Sequence, residues 1–204
     1  MKLISFEKDN SILLGAIEKD SIYDLHAINT NIAESMLEFM QGGNEQLDLA
    51  HKAIQENEPS MNVNDVRLLS PLTNPPSVRD AYAFRQHVAT ARRNRGLEMI
   101  PEFDEIPIFY FTNHNAVFGP GNFPVLSRHL GKLDFELECA AVIGKGGRDI
   151  SASQADEHIF GFMIMNDFSA RVMQMQEMKL NLGPAKGKDF GSSFGPWLVT
   201  KDEL

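Results

Sequence analysis

The sequence has a single cysteine among its 204 residues, so it cannot form an internal disulfide. Small secreted scaffolds depend on several disulfides, so this class is excluded and a reducing, cytoplasmic location is favoured. The one cysteine, Cys139, lies within an apolar run. We predict a buried, unreactive thiol there, because free cysteine is among the residues most often buried in proteins.

Long hydrophobic runs are also missing. No segment stays apolar over the roughly 20 residues that a membrane-spanning helix needs. Only four residues separate Lys2 from Glu7, too few for the apolar core of a signal peptide. The last four residues, Lys201–Leu204, spell KDEL, a signal that acts only on chains that have entered the secretory path. We therefore expect no membrane partner and no retrieval function for this ending.

Positive charge is scarce as well. The formal net charge is -9 and the isoelectric point is near 5.1. Nucleic acids and anionic membranes attract basic surfaces, so we predict no nucleic-acid partner. A metal cation or a small substrate suits an acidic chain better.

The chain divides at a proline-rich stretch. Before it, three runs with strand character are followed by a helical pattern from about residue 32 to 55, which is broken at Gly42–Gly43. The stretch SPLTNPPS has three prolines and few apolar side chains, as domain linkers often do. We predict a small N-terminal α+β domain over residues 1–70, a linker over 71–76 and a larger domain over 77–204. The three strand-like runs are MKLISF, SILLGAIE and SIYDL.

After the linker, residues 77–96 have the pattern of one helix, on which Asp80, Phe84, His87 and Ala91 would share a face. Strands outnumber helices in the rest of the chain, so we predict a strand-rich α+β fold. The further predicted strands are IPIFYF, LDFELECAAVIG and HIFGFMIM, and the further helices are SQADEH and FSARVMQMQEMK.

Three acidic residues alternate along LDFELECAAVIG. Successive side chains of a strand point to opposite faces, so Asp134, Glu136 and Glu138 share one face while the apolar residues between them pack on the other. One interpretation is a half-buried strand with a solvated acidic face. The other is a cation site, because a divalent ion relieves the repulsion between like charges.

A further acid, Asp167, ends the apolar run HIFGFMIMND. A carboxylate at the end of a buried strand is costly unless it is paired, and Asp167 could cap a helix starting at Phe168, bind a metal, or do both. With Glu136 and Glu138 it would form an all-oxygen site suited to Mg²⁺, or alternatively to Mn²⁺ or Ca²⁺. Zinc is less suited, because no cysteine or clustered histidine accompanies these acids.

Six segments carry a family pattern, in order from Ser77 to the end: RDAYAFRQH, FYFTNHNAVFGPG, LDFELECAAVIG, ADEHIFGF, MNDFSAR and LGPAKGKDFGSSFGPW. With them the chain resembles the fumarylacetoacetate hydrolase family. Residues 1–70 are similar, more weakly, to the small N-terminal domain of many members. The resemblance implies a mixed β-sheet roll or sandwich and usually a homodimer. It also implies metal-dependent cleavage of a carbon–carbon bond in a β-diketo acid such as fumarylacetoacetate or an acylpyruvate, chemistry of aromatic amino acid catabolism.

The resemblance also implies a role for each matched position. Glu136, Glu138, Asp167 and Asp80 match the metal carboxylates, and His87 matches the general base. Without the family pattern, a lone helix histidine is more often a surface or packing residue. The other matches are Tyr82 and Tyr110, which contact substrate, and Arg171, Gln174 and Lys188, polar groups near the substrate and metal that could stabilise an oxyanion.

Some positions depart from the family pattern. Val172 stands where an acid commonly follows the arginine, and methionines occupy the stretch from Met173 to Met178 where an aromatic is often found. In the family a further strand-rich segment follows the equivalent of this ending, so we expect that KDEL marks an interrupted chain. Three hypotheses stay open: a hydrolase, a decarboxylase, hydratase or isomerase of a related oxo-acid, and a non-catalytic fragment that needs the missing half.

Overall fold

Strands dominate the computed structural model of the protein, which describes residues 1–204. No helix in it combines the length and the apolar character needed to cross a membrane. The strands are β1 (Lys2–Lys8), β2 (Ser11–Glu18), β3 (Ser21–Asp24), β4 (Met61–Asn62), β5 (Arg67–Leu68), β6 (Val78–Asp80), β7 (Tyr110–Thr112), β8 (Val117–Phe118), β9 (Leu133–Asp134), β10 (Leu137–Ile143), β11 (Ile159–Asp167), β12 (Ser169–Ala170), β13 (Ser192–Phe194) and β14 (Leu198–Thr200). The helices are α1 (Leu25–Ile28), α2 (Met36–Gln41), α3 (Gly43–Glu56), α4 (Arg85–Arg93) and α5 (Arg171–Glu177).

Ten strands form one sheet in the order β4-β3-β2-β1-β14-β11-β13-β8, with β5 also paired to β1 and β10 also paired to β11. Only the β8–β13 pair is parallel, so the sheet is mixed. Two small antiparallel pairs, β6–β7 and β9–β12, lie beside it. The predicted strand-rich α+β fold is confirmed.

The N-terminal elements match their predictions. The three predicted strands correspond to β1, β2 and β3, and the helical pattern forms α2 and α3 with the expected break between them. Gly43 has a φ of 57°, a conformation that glycine adopts without strain, so the break is a turn and not a bend in one helix. The hydroxyl of Ser35 caps α2 by accepting a hydrogen bond from the Glu38 N–H.

Most of the buried hydrophobic side chains lie before residue 73. The ring of Phe39 on α2 meets Phe160 on β11 edge to face, which joins the N-terminal helices to the long central strand. The proline-rich stretch packs against β1, since Pro71 is buried and its carbonyl accepts a hydrogen bond from the Ser5 hydroxyl at 2.7 Å. The linker and the division into two domains stay predictions.

The single helix predicted over residues 77–96 is wrong in its first half. Val78–Asp80 forms β6, with Asp80 opposite Tyr110 on β7, and α4 begins only at Arg85. Pairing with a distant strand therefore outweighs the local helical pattern, as often happens when propensity and tertiary contacts compete. Asp80 and Phe84 precede the helix, so the predicted common face with His87 and Ala91 does not form.

The acidic run also differs from its prediction. It splits into β9 and β10 at Phe135–Glu136, and the side of β10 that was predicted to be buried is open. Phe135 is 66% exposed and Leu137 is 72% exposed. Cys139 is exposed too, so the prediction of a buried thiol is wrong. These side chains are exposed because no other segment of the chain packs over this face of β10; pairing with β11 occupies only one edge of the strand. We call this surface the β10 apolar face; its residues are Phe135, Leu137, Cys139, Ala141 and Ile143.

Gly161 allows β14 to approach β11. A side-chain carbon at Gly161 would lie 2.2 Å from the carbonyl oxygen of Val199, far inside van der Waals contact. The backbone pairing of Gly161 with Thr200 therefore requires glycine at this position.

Candidate metal centre

Three carboxylates from separate strands meet in the structure. Asp80 ends β6, Glu138 lies in β10 and Asp167 ends β11, and one oxygen of each lies within 4.8 Å of the other two. Asp80 and Asp167 are buried, and Glu138 is partly buried. We call these residues the carboxylate trio. They are three of the four acids matched to the family metal site.

Backbone pairing brings the trio together. The Asp167 N–H donates to the Glu136 carbonyl at 3.0 Å, which fixes the end of β11 to the bend between β9 and β10. Along β10 the side chains alternate, so Glu138 lies on the side opposite the β10 apolar face. The third acid, Asp80, arrives from β6 through the pairing with β7.

Tyr110 binds two members of the trio at once. Its hydroxyl lies 2.7 Å from Asp80 Oδ2 and 3.0 Å from Asp167 Oδ2, so one proton is shared between two carboxylates. Burial raises the pKa of Tyr110, and the negative charges of Asp167 and Asp80 raise it further. The side chain therefore stays a neutral phenol that holds the carboxylates. Its predicted contact with substrate stays a prediction.

Two cations lie beside the trio and engage Glu136. Lys188 Nζ is 2.9 Å from Glu136 Oε2 and also donates to Asp167, while Arg171 is 2.6 Å from Glu136 Oε1 and 2.8 Å from Asp134 Oδ2. Burial alone would raise the pKa of Glu136, but the hydrogen bonds from Lys188 and Arg171 outweigh it and lower the pKa. Glu136 is thus neutralised by protein cations, whereas Glu138 is not.

The electrostatics of the trio favour a cation. Burial, followed by the charges of Asp80 and Asp167, raises the pKa of Glu138 to about 8. Burial also raises the pKa of Asp167 to about 6, although Lys188 opposes the shift. The second oxygen of Asp167, Oδ1, is buried and has no hydrogen-bond partner. An orphaned buried oxygen within an all-carboxylate cluster fits a hard divalent ion such as Mg²⁺, Mn²⁺ or Ca²⁺.

The raised carboxyl pKa values predict how stability depends on pH. In the presence of a chelator, Glu138 and Asp167 should make the free energy of unfolding fall as the pH rises from about 5 to about 8.5, because these two carboxyl groups hold their protons to higher pH in the folded state than in the unfolded state. The contribution of Glu138 is fully present below its ordinary pKa and is lost as the pH rises through about 8; Asp167 acts in the same direction through about 6. Urea unfolding at several pH values measures the slope.

A matched pair of variants isolates Glu138 from the other titrating groups. Glu138→Gln should flatten the slope between about pH 6 and pH 8, because glutamine has no proton to lose there. Glu157→Gln makes the same chemical change at an exposed glutamate and should keep the parent slope. An unchanged slope in Glu138→Gln would contradict the assignment.

The structure does not bring every predicted site residue to the trio. His87 is exposed on α4 and forms no hydrogen bond or ion pair with the trio. Tyr82 is 50% exposed and stacks on Phe103, with ring centres 6.0 Å apart. Gln174 lies nearer the cluster, since its carbonyl oxygen accepts from Arg171 at 3.1 Å.

The helix-cap interpretation of Asp167 is wrong. Asp167 is the last residue of β11, and α5 begins only at Arg171, after the short strand β12. The intervening strand pairs with β9, which delays the helix and leaves the Asp167 carboxylate free to face the other acids.

Glu177 is a site residue that the sequence patterns above do not include. Its carboxylate accepts hydrogen bonds from three successive backbone N–H groups at residues 185–187, just before Lys188. A usable signal was present, because Glu177 shares α5 with Arg171 and Gln174 at intervals of three residues.

A mixed sheet that brings three carboxylates together defines a protein of the α+β class with a candidate site for a divalent cation. The family model described as fumarylacetoacetate (FAA) hydrolase C-terminal matches residues 77–204. The chain belongs to the fumarylacetoacetate hydrolase family, as the resemblance implied.

Relatives of more than one activity are similar to the chain. A mitochondrial oxaloacetate tautomerase of Xenopus laevis is 28% identical over 208 residues, which is 100% of this chain and 63% of the relative. A fumarylacetoacetase of Oryza sativa subsp. japonica is 54% identical over 76 residues, which is 36% of this chain and 18% of the relative. The chain thus spans less than two thirds of the length of either curated relative.

Solved structures share the fold over the whole chain. The fumarylacetoacetate hydrolase of Exiguobacterium antarcticum superposes with a TM-score of 0.65 at 26% identity and is covered over 68% of its length. The maleylpyruvate hydrolase of Sphingobium sp. SYK-6, solved with manganese(II) and pyruvate, superposes with a TM-score of 0.71 at 19% identity and is covered over 69% of its length. About a third of each solved chain has no counterpart in these 204 residues.

Proposed function

We propose that the chain is the metal-binding part of a hydrolase that cleaves a carbon–carbon bond in a β-diketo acid such as fumarylacetoacetate or an acylpyruvate. The observation that carries the proposal is the carboxylate trio, with its raised pKa values and the orphaned oxygen of Asp167. The family membership and the fumarylacetoacetase relative support the choice of reaction. Mg²⁺ is our first choice of ion, and the manganese in the Sphingobium hydrolase makes Mn²⁺ a useful probe.

Asp80, Glu138 and Asp167 would hold the ion, with Glu136 as a further predicted ligand. When bound, the ion would supply Lewis-acid polarisation of a substrate carbonyl. His87 is our predicted general base: it would remove a proton from water, whose oxygen bonds to the carbonyl carbon. The carbon–carbon bond then breaks, its electrons remain on the departing carbon as an enolate, and that carbon later takes up a proton.

The cations beside the trio suit the charge that develops in this reaction. The Lys188 ammonium is only 3% exposed, and Arg171 donates to Gln174 as well as to the acids. Positive groups held away from water stabilise an oxyanion more strongly than solvated ones. We propose that Lys188, Arg171 and Gln174 bind the oxygen of the tetrahedral intermediate, and that Tyr82 and Tyr110 contact the substrate.

The assignment of His87 predicts a large loss of rate. In the Mn²⁺-loaded protein, His87→Ala should lower kcat for an acylpyruvate by about 10²- to 10⁴-fold, the usual contribution of a positioned base. His51→Ala is the matched control, because His51 pairs with Asp202 on another part of the surface and should keep the parent rate. Hydrolysis by His87→Ala at the parent rate would show that another group is the base.

A tautomerase or another isomerase of an oxo-acid is the second candidate. The Xenopus oxaloacetate tautomerase aligns with the entire chain, whereas the rice fumarylacetoacetase aligns with about a third of it. Product analysis on a panel of oxo-acids separates the candidates. Only hydrolysis yields two carbon fragments with uptake of water, decarboxylation releases carbon dioxide, and tautomerisation changes neither mass nor carbon count.

A non-catalytic role for these 204 residues on their own is the third candidate. The β10 apolar face favours it, because exposed apolar surface of this kind marks a place where further polypeptide binds. We propose a homodimer as the assembly and keep the cytoplasm as the proposed location. Light scattering during size-exclusion chromatography measures the assembly, and a monomer that unfolds in one cooperative transition would count against the non-catalytic role.

A further inference from the structure

The loop that carries Lys188 into the site is itself neither strand nor helix. It connects the end of α5 to β13, and its backbone N–H groups would otherwise need water or a neighbouring strand as acceptors. Ala185, Lys186 and Gly187 all donate instead to the carboxylate of Glu177, at 2.8, 2.7 and 3.0 Å. One side chain thus satisfies three successive backbone donors.

Both oxygens of Glu177 take part in this arrangement. Oε1 accepts from Ala185 and Gly187, and Oε2 accepts from Lys186. Hydrogen bonds to a charged acceptor are roughly twice as strong as those between neutral groups. A glutamine of the same shape offers one carbonyl oxygen, and its NH₂ group would face a backbone donor. The geometry therefore requires a carboxylate and not just a polar side chain.

The loop is also held directly against α5. A side-chain carbon at Gly187 would lie 2.7 Å from Gln174 Cβ, and the Gly187 carbonyl accepts from the Ala170 N–H at 2.8 Å. The Lys188 N–H in turn donates to the Ala185 carbonyl at 2.8 Å. The backbone on the N-terminal side of Lys188 is thus fixed at each of three residues.

Lys188 follows directly, and its ammonium group is the buried partner of Glu136 and Asp167. A buried ammonium needs its position fixed, because a small displacement would leave Asp167 without a cation and Glu136 with Arg171 alone. Glu177 itself contacts neither acid. It lies at the C-terminal end of the helix whose first residue is Arg171.

We propose that Glu177 is a positioning residue that places the Lys188 ammonium against Glu136 and Asp167 by holding the backbone of residues 185–187. The helix α5 then sets three polar groups of the site: Arg171 and Gln174 directly, and Lys188 through Glu177. The consequence for catalysis rests on the proposed function, but the positioning of Lys188 does not.

The test measures the loop and the lysine separately from activity. Amide hydrogen exchange should show residues 185–187 protected in the parent and exchanging at least about tenfold faster in Glu177→Gln, with Val199 in β14 unchanged. Reductive methylation followed by mass spectrometry should leave Lys188 unmodified in the parent while the exposed Lys186 reacts. In Glu177→Gln both lysines should react. Glu157→Gln serves as the matched control and should behave as the parent.

Two further variants keep the proposal open to refutation. Gly187→Ala displaces the loop from α5 while Glu177 stays intact, and it should also expose Lys188. This variant replaces Glu177→Gln in the test if Glu177→Gln does not fold. In the Mn²⁺-loaded protein, Glu177→Gln should lower kcat by about 10- to 100-fold with a smaller change in KM, and should have no added effect in a Lys188→Met background.

Full protection of residues 185–187, or an unreactive Lys188, in folded Glu177→Gln would overturn the proposal. If the parent protein is inactive, the exchange and labelling results still decide it.

Discussion

Replacement of Glu138 with glutamine is expected to weaken Mn²⁺ binding by at least about 100-fold, as measured by calorimetric titration. Glutamine keeps the shape of the side chain but removes a full negative charge from a cluster whose oxygens lie within 4.8 Å of one another. A pair of unit charges about 4 Å apart is worth about 4 kcal/mol at an effective dielectric constant of about 20, or about three orders of magnitude in affinity. Asp80 and Asp167 would then have to hold the ion, with Glu136 as the only other predicted ligand.

Two matched glutamates make the measurement specific. Glu136→Gln should weaken binding less, because the charge of Glu136 is already neutralised by Arg171 and Lys188. Glu157→Gln is exposed and should leave binding as in the parent. Parent-like binding by Glu138→Gln together with its loss in Glu136→Gln would place the ion at Glu136 and reject the carboxylate trio as the site.

Lys188→Met should destabilise the cation-free chain by about 3–5 kcal/mol, the usual cost of removing one partner of a buried ion pair. Lys188 is 3% exposed, and Asp167 is fully buried. Methionine fills a similar volume, but it leaves Asp167 without a cation and Glu136 with Arg171 alone. Urea unfolding in a chelating buffer measures the change, with the exposed Lys179→Met as a control of near-zero effect.

A double variant tests the cause of that loss. Asp167→Asn removes the charge that Lys188 compensates, so Lys188→Met with Asp167→Asn should be more stable than Lys188→Met alone. Addition of Mn²⁺ should stabilise Lys188→Met more than it stabilises the parent, because the ion can replace the missing charge. A double variant no more stable than the single one would mean that Lys188 acts through packing.

The N-terminal half of the fold was predictable because its signals are local. The strands β1, β2 and β3 are short, mainly apolar runs separated by two-residue turns at Asp9–Asn10 and Lys19–Asp20, and Gly42–Gly43 separates two helices at the position where glycine favours a break. These elements need only their neighbours in sequence to form. Their packing then follows from the apolar sides they present.

The region after residue 77 was less predictable because its elements depend on distant partners. The first part of the helix predicted from residue 77 forms the strand β6 instead. This strand pairs with β7, and the paired residues are about 30 positions apart in sequence. The exposure of Cys139 depends on whether a distant segment packs over this face of β10, and no local pattern contains that information.

The acidic residues of the candidate site were predictable from the sequence, but which of them pair with protein cations was not. Glu136, Glu138 and Asp167 were recognisable as costly carboxylates near apolar strands, and a family pattern added Asp80. The sequence could not show that Arg171 and Lys188 neutralise Glu136 and leave Glu138 in the trio, because that depends on the path of a loop fixed by Glu177. Roles of this kind are set by three-dimensional contacts between segments far apart in sequence.

The pairing of β1 with β14 imposes an order on events during synthesis. Met1 and Thr200, 199 positions apart, are joined by hydrogen bonds from the amino terminus and from the hydroxyl. The hairpins of β1, β2 and β3 can form as soon as they are made, and β5 then pairs with Phe6 and Glu7. On the same edge of β1, Lys2 and Leu3 must wait for residues 198–200. Closing contacts of such long range is slow, and an unpaired strand edge can meanwhile pair with another chain. The interval between these two moments is therefore when a nascent chain is most exposed to aggregation, and a chaperone that covers the edge of β1 would act then.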